Sequence, residues 1–201
     1  MTRRDGTPYD PHAPHPFHSR KGNRWEGYDY ATSADYFVTV VVHDRMNLFG
    51  VVDGDHVNLS PAGEMIQNMF GKLLERYPNA ELLSQVIMPN HIHLVIGKYE
   101  EHFSLPEMMA WFKGTTTFLY GVGVNEHAWP RYHDKLWQRS YHDHVIRNER
   151  ALQYILRYID ENPARWTADN LNPDCQNPDE IMKTIRDIEL GTPPPVRLVT
   201  P

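Results

Sequence analysis

The sequence contains little cysteine, no excess of positive charge and no long apolar run. Cys175 is the one cysteine, which excludes a disulfide framework or a cysteine-based zinc site and suits a reducing cytoplasm. The formal net charge is −6, which counts against nonspecific coating of duplex DNA, because such binding depends on phosphate neutralisation. No apolar run approaches the length of a membrane span and no signal peptide is visible, so we expect a cytoplasmic protein with no membrane partner.

Enough apolar sequence is present for one domain with extensions at both ends. Of the 201 residues, 40% are hydrophobic and 11% are aromatic, which is sufficient for an ordinary core. Residues 1–34 are rich in proline and histidine and are interpreted as an extended arm. Residues 35–166 form the predicted domain. Residues 167–201 form a tail, in which a short amphipathic helix at about 179–190 is expected to pack on the outside.

Within residues 35–166 the periodicity alternates between strands and helices. Strands are predicted at 35–42, 81–88, 91–98 and 136–146, a small hairpin at 48–59, and helices at about 60–77, from 104 onwards and at about 148–161. The order strand, helix, strand, strand, helix, strand predicts an α+β fold of the ferredoxin-like split βαβ type. Helices would cover one face of its antiparallel sheet, and a further helix would follow at the C-terminal end.

The most informative motif is His91-Ile92-His93. Side chains at i and i+2 of a strand point to the same face, and two neutral imidazoles held side by side can share one divalent cation. With 12 histidines in the chain, such a pair also arises by chance. A second pair, His142 and His144, brackets Asp143. It could bind a metal, although such residues are more often hydrogen-bonded histidines of a strand.

The predicted helix at 148–161 carries a tyrosine and an amide that can act together. Tyr158 and Asn162 are four residues apart and therefore neighbours on a helix surface. Both flank the apolar stripe of the helix, so one helix end could bring a nucleophile and a metal ligand to one cation. Tyr154 lies one turn earlier as an alternative nucleophile, but the residue four positions after it is Tyr158 rather than an amide.

Two blocks of this sequence together resemble the REP-associated tyrosine transposases, a group of single-tyrosine HUH transposases (U denotes a hydrophobic residue). The first is Met88-Pro-Asn-His-Ile-His-Leu-Val95, which is similar to the HUH motif. The second runs from Trp137 to Glu149 and continues at Tyr158-Ile-Asp-Glu-Asn-Pro163. The Gly27-Tyr-Asp-Tyr30 segment before the first strand resembles the entry to the same domain. The likeness covers roughly residues 24–166.

The resemblance implies an enzyme that cuts single-stranded DNA next to a hairpin, forms a 5′-phosphotyrosine link and leaves a free 3′-OH. It implies that His91, His93 and Asn162 bind Mg²⁺ or Mn²⁺, that Tyr158 is the nucleophile, and that His144 is an active-site neighbour. Single-stranded or hairpin DNA would be the partner of a monomer or a homodimer. In a homodimer, the last helix could serve the metal site of the partner.

Basic residues in three regions are candidates for contact with DNA, because phosphates meet cations and bases stack on aromatic rings in single-strand binders. They are Arg20, Lys21, Arg24, Lys113, Arg139, Arg147 and Arg157. Two other functions remain open at this point. One is a non-catalytic or domesticated derivative that grips hairpins, and the other is a metal-dependent phosphodiesterase that uses water in place of tyrosine.

Overall fold

The computed structural model describes residues 35–98 and 104–191, so Arg20, Lys21 and Arg24 and the predicted N-terminal arm lie outside the described residues. It confirms an α+β fold built on an antiparallel four-stranded sheet. The strands and helices, in chain order, are β1 (Tyr36–Val41), β2 (Gly50–Asp53), β3 (His56–Leu59), α1 (Pro61–Arg76), β4 (Ala80–Met88), β5 (His91–Lys98), α2 (Leu105–Glu126), β6 (His142–Val145), α3 (Glu149–Glu161) and α4 (Ile181–Glu189).

The main sheet has the strand order β4-β5-β1-β6, and β2 and β3 form a separate hairpin. This is the order that the split βαβ pattern predicts, with the first and third of its four strands at the centre. The two N-caps visible in the sequence are in place. The Ser60 hydroxyl accepts from the Gly63 N–H at 3.1 Å, and Asn148 Oδ1 accepts from the Ala151 N–H at 2.9 Å. Each side chain satisfies one free N–H of the first helical turn.

Period-two alternation divides the sheet into two faces with separate cores. On one face, Val38 and Val40 of β1 and Ile92 and Leu94 of β5 are buried beneath α1 and α2. On the other, Phe37 and Val95 pack with α3 and α4. Ile185 and Ile188 of α4 are buried in this second core, while Met182, Lys183 and Arg186 on the same helix are exposed, so the tail helix packs against the domain with one apolar face. The second face is therefore partly covered, and the space that is left becomes a pocket.

The last strand is shorter than predicted, because only His142–Val145 of the region 136–146 pairs along β1. The pairing resumes at an isolated bridge between Val42 and Trp137. Between the two pairings, residues 40–41 of β1 lie opposite residues 138–141, so two extra residues leave the ladder as a bulge. Carbonyl groups in such a bulge need new donors, and the Lys113 ammonium donates to those of Gln138 at 2.7 Å and Arg139 at 3.0 Å.

Within residues 35–98 and 104–191, none of the helices has the length and apolar character that crossing a membrane would require.

Candidate active site

The two histidines of the first motif lie at the start of β5, on the face that carries Phe37 and Val95. Their Nε2 atoms are 3.1 Å apart, and the residues are 0% and 4% exposed. Each lies across the sheet from a residue of β1, His91 from Val41 and His93 from Thr39. The sheet register therefore holds both imidazoles side by side, as the i, i+2 spacing predicts.

The tautomer of His91 is fixed by Asn90. The Asn90 Nδ2 donates to the carbonyls of Arg45 at 3.2 Å and Leu171 at 2.9 Å, so its Oδ1 must face His91. It lies 2.8 Å from His91 Nδ1, and because an amide oxygen only accepts, that nitrogen carries the proton. The Nε2 lone pair of His91 is consequently directed at His93, whose own Nδ1 is hydrogen-bonded to the Thr39 hydroxyl at 2.8 Å.

Burial keeps both imidazoles neutral. It lowers the pKa of His93 to about 3. Burial lowers the pKa of His91 well below its usual value as well, and repulsion from the neighbouring His93 and Arg45 opposes its protonation further. Neutral imidazole is the metal-binding form. The two Nε2 atoms, 3.1 Å apart, are close enough that both could bind a single ion.

A third donor, Asp169, was not predicted from the sequence. It directly follows a 3₁₀ helix, Pro163–Ala168, and its Oδ2 lies 3.6 Å from His91 Nε2. Its Oδ1 accepts from the Leu171 N–H at 2.6 Å, whereas Oδ2 is buried without a hydrogen-bond partner in the described part of the chain. One donor atom each of His91, His93 and Asp169 lie within 4.8 Å of one another, a spacing compatible with one ion.

Asn162 is another side chain with an oxygen atom that lines the pocket beside these groups. It is 0% exposed, and neither its Oδ1 nor its Nδ2 has a partner in hydrogen-bond geometry among the described residues. Burial raises the pKa of both Tyr158 and Asp169, and the amide of Asn162 is close enough to each to oppose that rise. A buried amide and a buried carboxylate oxygen, both unpaired, are costly without a ligand. The donor set of imidazoles, carboxylate and amide therefore fits a divalent cation.

Tyr158 extends from α3 to the same point. Its hydroxyl oxygen lies 3.4 Å from His93 Nε2, its ring meets Phe37 edge-on at 6.1 Å, and the Arg165 guanidinium lies 5.7 Å from the ring centre. The residue is 8% exposed. Burial and the Asp169 charge raise the pKa of the phenol, while Asn162 and Arg165 oppose that rise only in part. The hydroxyl is thus a neutral group that needs help to become a nucleophile.

These groups open into a pocket of about 650 Å³. Tyr158, His93, Asn162 and Asp169 form one end, while β6 and the beginning of α4 form the walls. Tyr154 is half-buried among side chains of the second core and is not among the described residues that line this pocket. Of the two tyrosines, only Tyr158 therefore lines the cavity together with His93. The histidines and Tyr158 belong to the same chain.

The other predicted residues are distributed around the pocket or away from it. Arg147 lines it, with its Nη1 3.8 Å from Glu189 Oε2, and His144 Nε2 lies 2.9 Å from Glu189 Oε1. Arg139 and Arg157 are exposed and lie outside the pocket lining. The Lys113 ammonium donates to carbonyls of the bulge before β6 and therefore has a structural role.

Comparisons with known proteins agree with the resemblance. The family model described as "Transposase IS200 like" matches residues 35–162. An uncharacterized protein of Haemophilus influenzae is 28% identical over 173 residues, covering 78% of this chain and 95% of the relative. A second protein of that organism, provisionally named a REP-associated tyrosine transposase, is 26% identical over 142 residues, covering 68% of this chain and 74% of the relative.

Among solved structures, that of a REP-associated tyrosine transposase bound to a REP hairpin superposes with a TM-score of 0.55 at 19% identity, covering 86% of this chain and 89% of the other. This likeness shows the fold. The family model covers well over half of the sequence, from β1 to the last residue before the 3₁₀ helix. The chain belongs to the IS200-like transposase family.

Proposed function

We propose that this protein nicks single-stranded DNA next to a hairpin and transfers the strand through a 5′-phosphotyrosine on Tyr158. The observation that carries the proposal is the 3.4 Å between the Tyr158 hydroxyl and His93 Nε2, at the edge of the His91, His93 and Asp169 cluster. A nucleophile and a cation site that meet in one pocket are the two parts that this reaction needs. The hairpin bound to the structural relative supports the same class of substrate.

The residues that would hold the cation are His91, His93 and Asp169, with Asn162 as a further oxygen donor. Two imidazoles with oxygen donors and no thiolate make a borderline-to-hard site, and the resemblance to the tyrosine transposases implies Mg²⁺ or Mn²⁺, so one of these is the proposed cofactor. When bound, the cation supplies Lewis-acid stabilisation of the charge that develops on the scissile phosphate. Asp169 thus joins the amide of Asn162, which the resemblance implies as the third ligand.

The protein's own side chains provide the nucleophile and its support. The Tyr158 oxygen attacks phosphorus, the bond from phosphorus to the 3′ oxygen breaks, and the phenolic proton is balanced by the proton that the released 3′ oxygen gains. Asn162 and Arg165 favour the charged form of the phenol, and Phe37 holds its ring from the edge. Since the phosphotyrosine ester conserves the bond, a 3′-OH can attack it and rejoin a strand without ATP.

The test is formation of a covalent adduct. The protein is incubated with Mn²⁺ and a labelled hairpin oligonucleotide carrying single-stranded extensions, and denaturing electrophoresis follows. We expect an adduct that survives denaturation. Tyr158→Phe should abolish the adduct while leaving binding intact, and the matched control Tyr154→Phe should retain it.

Each other outcome selects a different function. An adduct that persists in Tyr158→Phe and disappears in Tyr154→Phe would contradict the assigned nucleophile. Binding without any product, with either Mg²⁺ or Mn²⁺, would favour the hairpin-binding derivative. Cleavage without an adduct would favour a phosphodiesterase that uses water.

A further inference from the structure

We propose that the pocket between β6 and α4 receives a single nucleobase of the DNA strand, next to the phosphate that Tyr158 attacks. The inference rests on the proposed function and adds a sequence-reading site to it. The cavity does not stop at Tyr158, His93 and Asp169. Its lining also includes residues of β6 and residues 179–183 and 186.

The size of the cavity is the first argument. At about 650 Å³, it lies in the range of about 300–1,000 Å³ that is typical of sites for small organic ligands. A phosphate group would occupy only the end beside Tyr158. The remaining volume suits a base and its sugar, and enzymes that act on nucleic acid commonly hold an unstacked nucleotide in such a pocket.

The lining is the second argument. Ile181 and Met182 of α4 contribute an apolar wall, and Met182 is exposed. The imidazoles of His142 and His144 line the cavity from β6. Flat rings and a polarisable thioether suit the face of an aromatic base. Asn170 adds an amide that can bond to a base edge.

The charge distribution is the third argument. Three of the four cations that line the pocket are matched by carboxylates: Arg165 with Asp179, Lys183 with Glu180, and Arg147 with Glu189. A cavity so balanced favours a neutral, hydrogen-bonding group over a second phosphate. Arg186 forms no ion pair within the described residues and its Nε donates to the Met182 carbonyl. It is therefore available to a backbone phosphate on the far side of the base.

The α4 wall is fixed in place, as a reading site requires. Ile185 and Ile188 anchor the helix in the second core, and Glu189 Oε1 joins it to His144 at 2.9 Å and to the Arg147 N–H at 3.1 Å. These residues follow the part of the chain that the family model matches. The base preference of this protein would consequently depend on a segment outside the shared domain.

The experiment separates base recognition from chemistry by using the full chain with Tyr158→Phe. Binding is measured for hairpin oligonucleotides in which an abasic residue is placed in turn at each position of the single-stranded extension. One position should cost about tenfold in affinity, because a stacked base is lost there. In the same background Met182→Trp, which places a larger side chain against the base site, should weaken binding of intact DNA and abolish that positional penalty. Leu190→Trp, an exposed site on the end of the same helix, should preserve it.

A second measurement does not depend on the folding of the Met182 variant. A thymine at the sensitive position should lose its reactivity to permanganate when the Tyr158→Phe chain binds. No sensitive position, an unchanged penalty in Met182→Trp, or a thymine that stays reactive would each overturn the base pocket. If the chain with Tyr158 intact forms an adduct but no position is sensitive, the proposed function is supported and the base pocket is not. If one position is sensitive but no adduct forms, the base pocket is supported and the proposed function is not.

Discussion

At the scale of single residues, the site depends on polar atoms that have been taken out of water and aimed at one point. Asn90 illustrates this, since it is 0% exposed and uses its amide to hold two carbonyls and the His91 ring at once. A neighbour that fixes the tautomer and orientation of a ligating histidine is typical of metal sites.

We predict that Asn90→Ala weakens Mn²⁺ binding by about 10–100-fold, the usual effect of losing such a support. It should also lower the free energy of unfolding by about 1–3 kcal/mol, because buried partners lose their hydrogen bonds. Calorimetric titration with Mn²⁺ and urea unfolding measure the two effects. Asn58→Ala, at an exposed amide of the β2–β3 hairpin, is the control. Equal Mn²⁺ affinity in Asn90→Ala would show that His91 needs no such support.

Replacing Asp169 should reduce metal affinity without reducing stability. Burial raises the pKa of its carboxyl, and a buried charge without full compensation is destabilising. Asp169→Asn keeps an acceptor for the Leu171 N–H, so the metal-free variant should be at least as stable as the parent. Its Mn²⁺ affinity should fall at least tenfold, while Asp160→Asn, an exposed change of the same charge on α3, should leave the affinity unchanged. Parallel thermal unfolding and Mn²⁺ titration decide the point. A variant that binds Mn²⁺ normally would remove Asp169 from the ligand set.

These residues also show where reading the sequence succeeds. The pairing of His91 with His93 follows from a local period of two, which needs no knowledge of the rest of the chain. Asp169 carries no such signal, because it lies in a polar tail and reaches His91 only through a 3₁₀ helix after α3. The ligand role predicted for Asn162 stays a prediction, although the structure places its amide close to Tyr158 and Asp169.

At the scale of elements, local rules predicted the helices better than the final strand. Ser60 and Asn148 mark the starts of α1 and α3, because a cap is a contact between residues three apart. The length of β6 depends instead on its register against β1 and on the bulge at 138–141, which Lys113 supports from α2. Contacts between residues so far apart in sequence produce no periodic pattern in it. The prediction of a strand over the whole of 136–146 was therefore wrong.

Lys113 makes the bulge sensitive to pH. Burial, with a smaller effect from the charge of Lys135, lowers the pKa of Lys113 to about 8, below the usual value of about 10.4 that the unfolded chain restores. Between these values the unfolded state binds more protons, so the free energy of unfolding should rise with pH. Relative to Lys113→Met, we predict that the free energy of unfolding of the parent rises by less than about 1.4 kcal/mol per pH unit from pH 8 to 10. The rise stays below this limit because the ammonium is partly exposed.

Chemical unfolding of both proteins at pH 7, 8, 9 and 10 measures this difference directly. Lys72→Met, at an exposed lysine of α1 paired with Glu75, controls for the loss of a positive charge. A difference between the parent and Lys113→Met that is flat or falls with pH would contradict the assignment.

The attachment of α4 depends on Glu189, whose carboxylate is nearly inaccessible and joins the helix to β6. We predict that Glu189→Ala leaves His144 and the Arg147 N–H without their partner, and that opening of the helix becomes easier by about 1–3 kcal/mol. Hydrogen exchange of residues 181–189 should then accelerate by at least about fivefold. Glu180→Ala, at the exposed pair with Lys183, should change it little. Unchanged exchange in Glu189→Ala would mean that Ile185 and Ile188 hold the helix unaided.

At the scale of the whole molecule, the fold gathers distant pieces of sequence at one face of a sheet. The net charge of −6 does not suit broad electrostatic binding to DNA. Among the described residues, the structure instead brings the His91, His93 and Asp169 cluster and the Tyr158 phenol to a cavity of about 650 Å³. Topology provides this arrangement: β5 carries the histidines, α3 crosses behind them with Tyr158, and the chain then returns through Asp169 to α4. The central claim is that the phenol of Tyr158 attacks DNA beside that cation site.

The most direct test is to locate the covalent link by mass spectrometry. Trypsin cleaves after Arg150, Arg157 and Arg165, so Tyr154 and Tyr158 fall on different peptides, 151–157 and 158–165. After reaction with a hairpin oligonucleotide and Mn²⁺, nuclease trimming and digestion, we predict a nucleotide mass on Tyr158 in peptide 158–165. Fragmentation assigns the residue if cleavage at Arg157 is hindered. A modification on Tyr154, or cleaved DNA with both peptides unmodified, would contradict the account.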